Sequence, residues 1–196
     1  MKKIIGIKNE KELNKFYRLL FIYRSFLYKF TTLELKKGKY YNELDPIVKA
    51  LNIKRKNKRT TYIYDYACSV IDEFQDTNNV CDFKDGKCLL HRLKDIDCNS
   101  GCCGNCIQKT TTKCSTKNLS CKFFYCSLIK KKYKVITFDD LKILKCLTYR
   151  QQLILKMDLF TKRKDVLMDL YIGSIIIASI RIVYRLCRQE FIKKKK

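Results

Sequence analysis

The sequence predicts a mainly α-helical protein in which helices flank a central, irregular, cysteine-rich metal-binding module with a short hairpin. Three observations support this fold class. The 196 residues include one proline and six glycines, so few positions interrupt helices. Apolar residues recur at helical spacing towards both ends. The middle, by contrast, is turn-rich and holds nine of the twelve cysteines. We therefore divide the chain into a basic helical region (1–76), the cysteine-rich module (77–129) and a second basic helical region (130–196).

In the first region, a long helix is predicted over residues 11–35, because apolar side chains return to one side at about 100° per residue. Gly38 ends this segment. Asp45-Pro46 is typical of a capped helix start, so a second helix is predicted over 46–51. A basic connector follows, and helical spacing then predicts a third helix over 62–74.

In the last region, Thr137-x-x-Asp140 resembles a capping box and predicts a helix start. Helical spacing continues to about Phe191, with breaks expected near Thr148 and Thr161. The longest uncharged apolar run, 170–180, has 11 residues, and about 20 are needed to span a bilayer. We therefore expect a buried amphipathic helix there.

Positive charge is concentrated at both ends of the chain. The net charge is +24 overall, +12 in residues 1–60, zero in 61–128 and +12 again in 129–196. A polyanionic partner is expected for such flanks, with nucleic acid first. A membrane surface is the alternative, contacted by the final helix and its lysine tail.

Three dense runs of cations are the candidate nucleic-acid-binding residues, because like charges this close repel one another without an anion between them. Aromatic rings interleave with cations at 37–41 and 58–64, a pattern typical of proteins that hold single strands. The candidates are Lys54, Arg55, Lys56, Lys58 and Arg59 in the connector, Lys130, Lys131 and Lys132 after the module, and Lys162, Arg163 and Lys164 near the last predicted break.

The stretch around the third run also carries a local resemblance. Residues 147–155 read L-T-x-R-Q-x-x-I-L, which is similar to the first helix of winged-helix and response-regulator DNA-binding domains. This resemblance implies a second helix that begins at Lys162-Arg163-Lys164 and meets bases or phosphates with its N-terminus. Packing of two helices as a plain hairpin explains the same pattern.

The nine central cysteines are the candidate metal ligands. A segment with few apolar residues between its thiols has no hydrophobic core of its own, and a bound cation supplies the missing free energy. Cys103-x2-Cys106 is the spacing typical of structural zinc. The candidates are Cys81, Cys88, Cys98, Cys102, Cys103, Cys106, Cys114, Cys121 and Cys126.

Zinc is the predicted metal, in two sites. The N-terminal sequence lacks the apolar stretch of a secretory signal, so we expect a cytoplasmic protein with reduced thiols. Two tetrahedral zinc sites use eight thiolates and leave one over. His91, the only histidine, would replace a cysteine or face solvent. Cys68, Cys146 and Cys187 lie in helical patterns and are expected to act as small apolar residues.

Iron is the alternative metal. Residues 98–106 contain C-x2-G-x-C-x2-C, which resembles the cluster loop of plant-type [2Fe–2S] ferredoxins. The resemblance implies that Cys98, Cys103 and Cys106 bind iron, with Cys126 or Cys146 as the fourth ligand. An iron–sulfur protein that carries electrons or senses oxidants stays open on this ground.

Catalysis is not indicated by any motif. The sequence has no phosphate-binding glycine loop, and acidic pairs such as Asp72-Glu73 and Asp139-Asp140 fit helix ends or exposed faces. No small-molecule substrate is evident, and oligomeric state is open. The sequence favours a binding protein over an enzyme.

Overall fold

The computed structural model describes residues 2–82, 84, 92, 116–125, 127–159 and 161–194. Within these ranges the side chains of Tyr28, Leu128, Lys132 and residues 188–194 are not described. The predicted hairpin at Asp85-Gly86 and most of the cysteine-rich module lie outside the described residues. The described part is mainly helical, as the sequence predicts.

The first secondary-structure unit is a parallel pair of strands joined by a helix. Strand β1 (Lys2–Ile5) pairs with β2 (Thr32–Leu35), with Lys2 opposite Thr32 and Ile5 opposite Leu35. Helix α1 (Glu10–Ser25) connects them, and its N-cap Asn9 accepts a hydrogen bond from the Glu12 amide at 2.9 Å.

The predicted helix over 11–35 is therefore wrong beyond Ser25. A short 3-10 turn (Leu27–Lys29) follows α1, and the chain then extends into β2. Both the local sequence and pairing with a distant segment favour a strand here. Thr31 and Thr32 are β-branched, residues 32–35 alternate in polarity, and β1 offers a partner that periodicity along one segment does not reveal.

Helices α2 (Tyr41–Asn52) and α3 (Lys56–Asn78) both start earlier than predicted. Pro46 lies inside α2, not at its start, and the buried Leu44 belongs to the preceding turn. Most of the predicted connector forms the first turn of α3. At its other end α3 is terminated by the C-cap residue Asn79, which has the left-handed conformation (φ 39°). Lysine and arginine are good helix formers, so a cationic run does not by itself mark a loop.

Helix α3 is the centre of the molecule, because α2, the short helix α4 (Leu119–Lys122) and the later helix α7 (Arg163–Ile172) all pack on it. Residues from Ile5 to Ala178 contribute to one buried core, so the two basic helical regions share it. The largest fully buried side chains are Leu20, Leu44, Ile47, Leu51, Ile63, Tyr64, Ile71, Leu119, Leu144, Leu147, Ile154 and Leu155.

The remaining helices follow α4 in chain order. They are α5 (Ser127–Lys132), α6 (Tyr149–Met157), α7 (Arg163–Ile172) and α8 (Ile175–Lys194), with a 3-10 helix (Lys142–Cys146) before α6. The predicted breaks near Thr148 and Thr161 are confirmed. Thr148 and Gln151 form a reciprocal capping box at the start of α6.

Two details of this region differ from prediction. Thr137 donates from its amide and its hydroxyl to Asp140 at 2.7 Å, but a turn and the 3-10 helix follow, not an α-helix. A further break at Gly173 separates α7 from α8. Its φ of 64° is the left-handed helix end for which glycine is the usual residue.

Among the described helices, none combines the length and the hydropathy that a bilayer-spanning segment needs.

Candidate functional site

A shallow groove of about 530 Å³ runs along the outer face of the N-terminal half of α3. Side chains three or four positions apart share one face of a helix, and the groove follows this spacing over several turns. It combines a cation, a carboxylate, two phenol rings and two hydroxyl groups. The residues that line it are Lys58, Thr61, Tyr62, Asp65, Tyr66 and Ser69.

Helix α7 lies along one side of the groove. The guanidinium of Arg163 donates to both carboxylate oxygens of Asp65, at 2.7 and 2.6 Å. The hydroxyl groups of Tyr171 and Thr61 are 2.6 Å apart. Residue 163 thus meets residue 65 and residue 171 meets residue 61, so α7 runs antiparallel to α3.

Helix α2 lies along the other side, next to the tyrosines. Burial raises the pKa of Tyr62, and the charges of Lys49 and Asp45 on α2 also act on it. The ammonium of Lys49 is 2.7 Å from the Asp45 carboxylate. Asp45 and Asp65 are therefore paired with cations. Glu73, whose charge adds to burial in raising the pKa of Tyr66, is instead exposed.

Tyr62 and Tyr66 form a stacked pair within the groove. Their ring centroids are 6.2 Å apart with an interplanar angle of 24°. Each ring is partly exposed, and burial raises the pKa of both phenols above 10, so they are uncharged at neutral pH. Two flat, neutral rings beside a cation are the elements from which single-strand binding surfaces are built.

The first predicted run of cations is divided by the fold. Arg55, Lys56 and Lys58 are exposed at the start of α3. The Lys54 ammonium donates to the carbonyl of Thr31 at 2.9 Å. Arg59 is only 8% exposed and donates to the carbonyl of Arg24 at 3.4 Å, which places it in the interior.

The third run lies at the start of α7, and its middle residue contacts the groove. Lys162 precedes α7 and is exposed, as is Lys164 in its first turn. Arg163, between them, is the residue that pairs with Asp65 in the groove. Lys58 and Asp65 are seven residues apart on α3, roughly 10 Å along the helix axis. The structure therefore brings one residue of the first run, Lys58, and one residue of the third, Arg163, to the same groove.

The second run lies elsewhere. Lys130 and Lys131 are exposed on α5. That helix packs through Ile129 in a small apolar cluster with Val80 and Phe74, at the C-terminal end of α3. Phe74 is 16 residues from Lys58, roughly 24 Å along the helix axis. Lys130–Lys132 are thus not part of the groove.

A buried charge cluster between α6, α7 and α8 was not foreseen from the sequence. Asp158 and Asp169 are fully buried, and Arg185 Nη1 lies 3.6 Å from one carboxylate and 3.0 Å from the other. Arg181 adds a contact of 2.9 Å to Asp169. Burial raises the pKa of Asp158 to about 6. A signal was present: M-D-L occurs twice, at 157–159 and 168–170, inside apolar helical stretches.

Of the nine candidate metal ligands, only Cys81 and Cys121 are among the described residues. Cys81 follows α3 and is close enough to Tyr125 to act on the pKa of its phenol, whereas Cys121 lies on α4. Cys88, Cys98, Cys102, Cys103, Cys106, Cys114 and Cys126 lie outside the described residues, as does His91. Within the described ranges alone, no group of three or more histidine, cysteine or carboxylate side chains is arranged to hold a metal.

The three other cysteines are in the described helices. Cys68 and Cys146 are buried, as predicted, and burial raises the pKa of both thiols to about 12. Cys187 is exposed on α8, so the prediction that it packs as a small apolar residue is wrong.

The two ends of the cysteine-rich module meet along α3, with contacts to both halves of that helix. Gln75 donates to the Lys122 carbonyl at 3.4 Å and to the Tyr125 hydroxyl at 3.2 Å. The Tyr64 hydroxyl accepts from the Leu119 amide at 3.1 Å and donates to the Lys117 carbonyl at 2.8 Å. The module is thereby closed at its base by the helical core.

No protein-family model, curated protein or solved structure matches the chain.

Proposed function

We propose that this protein binds single-stranded nucleic acid in the groove of α3. The observation that carries the proposal is the placement of Lys58, the Tyr62–Tyr66 pair and the cationic start of α7 on one surface. The phosphates would contact Lys58 and the cations around it. The bases would stack on the tyrosines.

The charge balance of the groove supports an anionic ligand. Its own carboxylate, Asp65, is held by both nitrogens of the Arg163 fork, and Asp45 nearby is held by Lys49. Among the described residues, five neighbouring cations make no ion pair with a carboxylate. They are Arg55, Lys56, Lys58, Lys162 and Lys164. A polyanion that contacts them releases its counterions, which is the main source of affinity in such complexes.

The tyrosine pair supports single strands over duplexes. A base that is already unpaired exposes its face to a ring, and each base–aromatic stack is worth roughly 1–3 kcal/mol. In a duplex the bases are stacked on one another and present only their edges. The open shape of the groove suits a chain that passes along it.

The test is a salt titration of binding to a fluorescent oligothymidine, with the full-length protein. Affinity should fall steeply with salt. Lys58→Ala should weaken binding and reduce the slope of log affinity against log salt by about 0.7, the value for one lost phosphate contact. Lys131→Ala, far from the groove, is the matched control and should leave the slope unchanged. Equal effects of the two variants, or binding insensitive to salt, would refute the proposal.

We also propose that zinc organises the cysteine-rich module. The supporting observation is that the core closes the module at its base, with Cys81 and Cys121 at its two edges. Bound zinc would supply cross-linking free energy there and no catalytic chemistry. The ligands would come from the nine predicted cysteines.

Elemental analysis of freshly purified protein tests the metal. Two zinc ions per chain are expected, with no colour. A brown protein that contains iron and acid-labile sulfide would instead support the iron–sulfur alternative. A chain that keeps its spectrum and melting temperature after all ions are removed would contradict both.

A further inference from the structure

Helix α8 has two apolar faces, and only one of them is used by the fold. Its inner face buries Ala178 and Ile182 against the core. Its outer face exposes a second set of large apolar side chains, with Ile176 at 74% and Ile180 at 64%. The large apolar side chains exposed on α8 are Ile176, Ile177, Ile180, Val183, Tyr184 and Leu186. At 100° per residue the first five fall within an arc of about 120° and form the outer face, whereas Leu186, at 40% exposed, lies outside that arc.

Ion pairs on the inner side of α8 fix the orientation in which its outer face points to solvent. Arg181 and Arg185 reach from the inner side of α8 to the buried carboxylates of Asp169 and Asp158. Rotation of α8 to hide its outer face would pull two arginines away from fully buried carboxylates, which is strongly unfavourable. The exposed apolar face is thus a fixed feature of the folded chain.

We propose that the outer face of α8 docks on an anionic membrane surface. The helix would lie in the plane of the headgroups, with Ile176, Ile180 and Val183 entering the acyl boundary and Tyr184 at the interface. This site is separate from the groove of α3.

Charge complementarity selects this occupant. Arg181 and Arg185 are used by the buried carboxylates, but beyond them the sequence adds Arg188 and the four lysines at 193–196 against one acidic residue, Glu190. The net charge of 129–196 is +12. Anionic headgroups would neutralise these cations, each worth about 1 kcal/mol near such a surface, while the acyl region would take the apolar side chains.

A second copy of the chain fits less well. Face-to-face α8 helices would bring two chains of +24 together, and their lysine tails would repel each other. The arc is also broader than the narrow apolar seam of a two-helix coiled coil. Nucleic acid offers phosphates to the cations but nothing to five exposed apolar side chains.

The test is flotation of the full-length protein with two kinds of vesicle. One kind contains phosphatidylserine and phosphatidylcholine, and the other only phosphatidylcholine. The protein should float with the first and not with the second. Ile180→Asp should weaken binding at least about tenfold, because it puts a charge in the centre of the inserted face. Substitution of Lys193, Lys194, Lys195 and Lys196 by Gln should weaken it further.

Tyr149→Asp is the matched control. Tyr149 is 70% exposed, lies outside α8 and occupies the first turn of α6, where an acidic residue is well tolerated. It should float like the wild type. Unchanged melting temperatures would show that both variants fold, and Ile176→Asp repeats the test at a second position.

Three results would overturn the proposal. They are no flotation by the wild type, equal flotation of wild type and Ile180→Asp, and a wild-type dimer that Ile180→Asp converts to a monomer without any vesicle binding. The last result would make the face an interface between copies. Oligothymidine binding should be unaffected by Ile180→Asp, so failure here is distinguishable from failure of the groove proposal.

Discussion

At the N-terminal end of α3, Arg55, Lys56 and Lys58 lie in solvent, whereas at its C-terminal end the side chain of Lys122 is only 2% exposed and is paired with Asp72. The same helix thus meets positive charge in two ways. Lys122 is paired with a carboxylate and packed in the interior, whereas Arg55, Lys56 and Lys58 make no ion pair with a carboxylate among the described residues. In our proposal the first kind of cation stabilises the fold and the second contacts nucleic acid.

The largest expected effect is at the buried pair. Asp72→Ala should lower the free energy of unfolding by about 3 kcal/mol, because it leaves the Lys122 ammonium buried without its partner. Lys58→Ala, at the exposed end, should change it by less than about 0.5 kcal/mol. Urea denaturation measures both. The double variant Asp72→Ala/Lys122→Met should recover much of the loss, and equal single-variant losses would abolish the contrast.

The buried charge cluster beside α8 should make the stability of the protein depend on pH. The pKa of Asp158 is raised from 3.8 to about 6 by burial, so the folded state holds a proton that the unfolded chain releases. Stability from this group is therefore full below about pH 4 and is lost as the pH rises through about 6. Over that window the wild type should lose of order 2 kcal/mol relative to Asp158→Asn. Parallel pH profiles of the two proteins would contradict this.

A third prediction concerns the tyrosine rings in the groove of α3. Tyr62→Leu removes a stacking surface and should weaken oligothymidine binding about tenfold. Tyr149→Leu removes an exposed ring outside the groove and should have no effect on affinity. Fluorescence anisotropy at fixed salt measures both variants. A comparable loss from both would mean that the groove rings have no special role.

The smallest expected effect is at the ion pair that borders the groove. Arg163→Ala removes a fork on Asp65, but both side chains are about half exposed, so the free energy of unfolding should fall by less than about 1 kcal/mol. Thermal melting against the wild type measures it. A loss as large as that of Asp72→Ala would place this pair among the structural ones.

The sequence was a good guide to helices and a poor one to the fate of individual charges. The apolar face of α1 and the breaks at Thr148 and Thr161 follow from spacing alone. Strand β1 pairs with β2 across more than twenty residues, and no local pattern reports such a pairing. The left-handed glycine at 173 was readable from sequence but was missed.

The candidate site was predictable only in part, because it too depends on contacts between segments that are distant in the sequence. The run of cations at 54–59 was visible, but Arg59 is buried and Lys54 binds a backbone carbonyl. That outcome depends on where carbonyls and carboxylates of other segments lie after folding. The approach of Arg163 to the groove rests on its contact with Asp65, almost a hundred positions away in the sequence.

We propose that the exposed end of α3, and not the cationic run on α5, contacts nucleic acid. Photo-crosslinking of the full-length protein to an oligonucleotide containing bromodeoxyuridine, followed by mass spectrometry, tests it most directly. Each region has its own reporter, since Tyr62 and Tyr66 line the groove and Tyr133 follows Lys130–Lys132. Crosslinks are expected at Tyr62 or Tyr66. Crosslinks confined to Tyr133 would contradict it.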